Sequence, residues 1–166
     1  ATYTAATKIS AIYADLGLSD GISKSKVTMY VDGEDVNYAT DSSTKNFVKG
    51  ETTKVGADGS LLNVYYDNDA ETITLVLINT YVAKVTDCDK NDDGKYDITT
   101  DASGVDSYES DVAYADDDVV LYTKVVKSSG DDEVKSMALA EKVSGEVTRV
   151  KDSDSFVIAG TTYKYS

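Results

Sequence analysis

A chain of 166 residues, 41% of them hydrophobic, can bury one sizeable core or two small ones and is too apolar to be a disordered acidic tail. Its 30 acidic against 16 basic residues give a formal net charge of -14, which repels phosphate backbones and anionic lipid heads and argues against nucleic-acid and membrane-surface roles. The absence of histidine removes the commonest general base and the usual zinc ligand, and a single cysteine, Cys88, excludes an internal disulfide framework.

Thirteen tyrosines against two phenylalanines suit half-buried strands with wet edges, and without proline the bends must come from Gly, Asp, Asn and Ser. The chain opens Ala1-Thr2-Tyr3-Thr4 with no basic or apolar leader, so a secretion signal is expected to have been removed or to lie upstream. No apolar run is long enough to cross a bilayer as a helix.

In Lys8 to Leu16 the residues Ile9, Ile12, Tyr13 and Leu16 have helical spacing, while Ile9, Ala11 and Tyr13 also alternate, so helix and strand stay open there. Val27, Met29 and Val31 alternate with polar neighbours up to Asp32-Gly33-Glu34-Asp35, which predicts a hairpin into Val36-Asn37-Tyr38. Thr40 to Val48 could form a helix behind an Asp41 or Ser42 cap. Thr52 to Val55, the turn at Ala57-Asp58-Gly59 and Leu61 to Tyr66 predict a second hairpin. The nearly continuous apolar run Ile73 to Ile78 reads as a strand covered on both faces, paired with Tyr81 to Val85 as the core.

Beyond a polar stretch, Val119 to Val126 reads as a strand followed by the turn Ser128-Ser129-Gly130-Asp131. Val143 to Val150, the turn Lys151-Asp152-Ser153-Asp154, Phe156 to Ile158 and Thr161 to Tyr165 read as a three-stranded meander. The expectation is an all-β fold of antiparallel hairpins in one or two small sandwich-like or barrel-like lobes, with one or two short helices. Residues 1–86 and 104–166 would be the lobes and 87–103 an acidic loop and linker, although one continuous domain fits as well.

The strongest chemical signal is Asp89-Lys90-Asn91-Asp92-Asp93-Gly94-Lys95-Tyr96-Asp97. A D-x-[DN]-x-[DN]-G loop supplies calcium with oxygens from alternate residues, the glycine allowing a sharp turn. Asp89, Asn91 and Asp93 would be side-chain ligands, the Lys95 carbonyl the seventh-position ligand and Asp97 the ninth. Thr100 stands where a bidentate carboxylate belongs, which points to weak affinity, roughly 0.1–1 mM, and the loop lacks the helix pair of a regulatory switch. The competing reading is a solvated turn. Asp67-Asn68-Asp69-Ala70-Glu71 is a weaker echo without the glycine, better read as a turn than as a second site at Asp67, Asp69 and Glu71. Asp116-Asp117-Asp118 reads as a solvated strand start, and Cys88 as a small buried hydrophobe.

The run Leu62 to Asp69, then Ile73 to Ile78, Tyr81 to Val85 and Asp89 to Asp97, resembles the β-rich repeats of S-layer and S-layer-homology surface proteins of Gram-positive anaerobes. Val143 to Val147 and Phe156 to Tyr163 are similar to the small β modules of those proteins. The resemblance implies an extracellular, surface-displayed region that spaces, assembles or adheres. The helical wall-anchoring motif of that family is not in this chain.

Carboxylate pairs are numerous enough to arise by chance, and no phosphate-cradling glycine motif is present, so no enzymatic activity is expected. The leading expectation is a structural surface module whose lobes are rigidified by weakly bound calcium. Its partners would be neighbouring domains or identical subunits. One alternative is a self-assembling filament or sheet subunit. The other is a glycan-binding adhesin module that stacks sugars on Tyr65, Tyr122 or Tyr163.

Overall fold

A computed structural model describes residues 1–151 and 155–164; the predicted turn residues Asp152, Ser153 and Asp154, and the end of the last strand at Tyr165, lie outside the described residues. The fold is all-β, with 47% of residues in strands and, among the described residues, a single α-helix.

In the first lobe, β1 (Thr2–Tyr3), β2 (Thr7–Lys8) and α1 (Ile9–Asp15) precede β3 (Val27–Val31), β4 (Glu34–Asp35), β5 (Lys54–Val55), β6 (Leu61–Asp67) and β7 (Thr72–Ile78). Ile9–Asp15 becomes helical because Ile9, Ile12 and Tyr13 share one buried face. Its first main-chain donors are absorbed by Thr53 and Glu51, and Gly17, at φ +64, ends it.

The sheet order is β1-β6-β7-β3-β4, with β3 parallel to β7. Along β7 burial alternates, with Ile73, Leu75 and Leu77 inside and the residues between them half-exposed, so this strand packs on one face and not on two. The predicted hairpin at Asp32 is present but short: Tyr30 pairs with Asp35 and Val31 with Glu34 around Asp32-Gly33, both at positive φ as a two-residue primed turn requires. The second predicted hairpin is replaced by longer-range pairing, since Lys54–Val55 joins Thr7–Lys8 while Leu61–Asp67 pairs with β7 and β1. No helix forms at Thr40 to Val48. There Asp41 accepts from the Ser43 N–H at 2.7 Å and its hydroxyl at 2.7 Å, closing a local turn, and Phe47 bridges to Ile22.

The second sheet, ordered β10-β9-β8-β11-β12, comprises β8 (Tyr81–Lys90), β9 (Tyr96–Thr100), β10 (Tyr108–Ser110), β11 (Val119–Val125) and β12 (Glu133–Leu139). Tyr81 to Val85 does not pair with β7: Tyr81 to Lys84 align with β11, and Val85 aligns with Thr100 of β9. Two apolar clusters result. One gathers α1, Phe47 and the inner faces of β6 and β7; the other gathers Ala83, Val85, Ile98, Val120, Tyr122 and Val134. A bulge after Val85 turns Cys88 inward against the second cluster and leaves Asp87 and Asp89 exposed. A bridge between Val105 and Asp132 draws β10 and β12 together and curls the sheet toward a barrel.

The predicted meander is β13 (Val147–Lys151), β14 (Ser155–Ile158) and β15 (Thr161–Lys164), with Phe156 stacked on Tyr163 at 5.9 Å. Among the described residues no helix is long and apolar enough to cross a membrane.

Candidate functional site

The acidic segment is the tip of the β8–β9 hairpin. It is neither a linker nor the joint between the lobes. The Asn91 N–H donates to the Lys95 carbonyl at 2.9 Å, the Lys95 N–H donates to Asn91 Oδ1 at 3.0 Å, and Gly94, at φ +83, turns the chain. Two of the five predicted calcium ligands, the Asn91 side-chain oxygen and the Lys95 carbonyl, thus close the turn.

Asp89 lies directly opposite Asp97, and Asp97 directly opposite Glu109 on the next strand. These three exposed carboxylates form a row on the outer face. Like charges in such a row repel, but the cations and donors come from the chain itself. Asn91 Nδ2 donates to Asp97 at 3.2 Å and to Glu109 at 3.3 Å, and Lys95 Nζ sits 2.7 Å from Glu109. This contact raises the Lys95 pKa and lowers that of Glu109, in each case chiefly through their mutual hydrogen bond. Asp93 remains at the exposed tip. Among the described residues no three carboxylate or thiol groups are arranged to hold a metal ion.

The echo at Asp67 is likewise a turn, with Asp67 accepting from the Asp69 and Ala70 N–H groups while Glu71 pairs with Lys26 at 2.7 Å. Asp118 accepts from the Ala115 N–H, and Asp117 pairs with Lys84, before β11 begins.

The joint between the lobes is built around Asp32, whose role beyond a turn the sequence does not reveal. Asp32 is only 3% exposed. Its carboxylate accepts three hydrogen bonds, from the Asn79 N–H at 2.8 Å, Asn79 Nδ2 at 3.1 Å and the Tyr81 hydroxyl at 2.6 Å. Its own N–H donates to Leu77 of the first sheet and its carbonyl accepts from Val126 beyond the second, both at 2.9 Å. The adjoining Gly33 approaches Val125 so closely that a Cβ there would lie 2.9 Å from the Val125 side chain. Tyr81 stacks on Tyr122 at 5.5 Å, and Lys124 lies 5.0 Å from the Tyr81 ring centre while pairing with Asp132 at 2.6 Å.

Of the three candidate sugar-stacking tyrosines, Tyr122 is buried in this stack and Tyr163 lies against Phe156, whereas Tyr65 is 60% exposed.

Burial raises the pKa of Tyr81, with the bond to Asp32 adding to it, and burial likewise raises those of Tyr38 and Tyr122. Burial and the Asp15 carboxylate push Tyr3 up to about 12. In the unfolded chain these phenols ionise near pH 10, while the folded chain retains their protons to higher pH. Stability is therefore fully present below about pH 10 and is lost as pH rises through the folded values. Thermal melts across this range should show a level melting temperature that falls above about pH 10; a level profile through about pH 12 would rule out this coupling.

No family model, curated protein or solved structure matches this chain.

Proposed function

We propose that this chain is a structural, non-catalytic module of an extracellular surface protein, a stiff spacer of the surface-layer type made of β lobes joined end to end. The observation that carries this reading is the Asp32 joint, where one buried residue bonds to the first sheet, to the Asn79-Thr80 link and to the second lobe. A buried, fully hydrogen-bonded contact of this kind favours one interlobe orientation over many. A two-residue link leaves little slack for any other. Its partners would be neighbouring surface-protein domains or further copies of itself.

In this reading hydrogen bonds supply the stiffness, and calcium acts only as a counter-ion for the acidic hairpin. Residual dipolar couplings measured in calcium and in EDTA test the proposal. The expected result is one alignment tensor for both lobes in both conditions. Independent tensors would sink it, and tensors that merge only with calcium would make the Asp89–Asp97 hairpin the clamp.

A self-assembling subunit is the second reading, favoured by four exposed apolar residues, Leu139 at the end of β12, Val143 in the connection, and Val147 and Val150 on β13. Electron microscopy of the purified chain separates the two: ordered filaments or sheets favour assembly, dispersed particles the spacer.

A further inference from the structure

Beside α1 the first lobe carries a cleft of about 420 Å³, within the general size range of small-ligand sites. Leu16, Asp20, Lys26, Tyr66, Asn68 and Glu71 are among its lining residues. Leu16 and Tyr66 pack against the core on one side, giving the cleft a fixed apolar wall. The polar groups are held less tightly. Among the described residues the Tyr66 hydroxyl and the Asn68 carboxamide have no hydrogen-bond partner, and Asp20 accepts only from its neighbour Ser19, at 3.2 Å. The N–H groups of Ser19, Asp20 and Gly21 have no main-chain partner.

The charge balance narrows the ligand. Lys26 and Glu71 neutralise each other at 2.7 Å, so neither is a free counter-ion, and the net charge of -14 opposes an anion. What remains is a site with donors, acceptors and an aromatic wall. Sugar hydroxyls both donate and accept, and the C–H face of a pyranose packs on an aromatic ring. We propose that this cleft binds a neutral saccharide, with Tyr66 as the wall and Asp20 and Asn68 bonding its hydroxyls. The cleft shares no lining residue with the Asp32 joint, so this proposal and the spacer reading fail separately.

The test is an amide chemical-shift titration of the whole chain with glucose, mannose, galactose and N-acetylglucosamine, and separately with inorganic phosphate. At least one sugar should shift resonances of residues 16–23 and 66–71, and phosphate should not. The double variant Asp20→Ala/Asn68→Ala, at two exposed positions, should weaken that binding by about tenfold while leaving the melting temperature unchanged. The proposal is overturned if none of the sugars shifts these amides, if phosphate does so instead, or if the double variant binds as tightly as the parent.

Discussion

Replacing Asp32 with alanine is expected to lower stability by about 3–4 kcal/mol. The substitution removes the acceptor of the Tyr81 hydroxyl and of both Asn79 donors, half-buried groups gathered around a carboxylate that is itself 3% exposed. Three half-buried donors lose their acceptor together, each keeping part of its desolvation cost, which is why the loss exceeds that of an ordinary surface hydrogen bond. The backbone adds to it, because position 32 has φ +51, which Asp tolerates better than Ala. Urea denaturation measures the loss, and dipolar couplings should report separate alignment of the lobes. Asp32→Asn retains an oxygen acceptor and suits the turn, so its loss should be smaller. A loss below about 1 kcal/mol for Asp32→Ala would mean that the joint is held elsewhere.

The second large effect is expected at Phe47, whose truncation to alanine should cost about 4 kcal/mol. Residues 36–53 contain no strand or helix, so this segment is ordered by anchors. Phe47 is fully buried, its ring lies 6.3 Å from that of Tyr38, and its main chain exchanges hydrogen bonds of 2.8 and 2.9 Å with Ile22. Tyr38 in turn donates from its hydroxyl to the Lys45 carbonyl at 3.0 Å. Removing the ring leaves a cavity and frees the segment together, so amide-exchange protection at Ile22 and Phe47 should fall along with global stability. Phe47→Leu should cost less. Retained protection with a loss near 1 kcal/mol would show that the segment has other anchors.

The strand content was legible in the sequence because period-two alternation is a local signal, and the Asp32-Gly33 turn could be read because only a few residue types accept its backbone angles. Choice of strand partner was not legible. Thr2–Tyr3 and Lys54–Val55 are two residues each and take their identity from strands dozens of positions away. The parallel pairing of Val27–Val31 with β7 leaves no mark in either stretch. Glu133–Leu139 escaped notice because only Val134 along it is fully buried.

The acidic segment shows the same limit. Its spacing of oxygens and its glycine were readable, and they are equally the features of a tight hairpin tip. The deciding groups are Lys95, whose ammonium folds back, and Glu109, which arrives on a third strand. The Asp32 joint lay beyond reach because its partners Asn79, Tyr81 and Val126 converge only after both sheets have formed.

The two apolar clusters have a consequence for the order of folding. The first is drawn entirely from residues up to Leu77 and the second entirely from residues after Asn79. A chain emerging from its N-terminus can therefore complete one core before the first residue of the next appears. Asp32 then waits, already set in its turn, for Tyr81 and later Val126. The lobe-to-lobe lock closes after the first core is complete, and a chain stalled before residue 126 would present one finished lobe with an open socket.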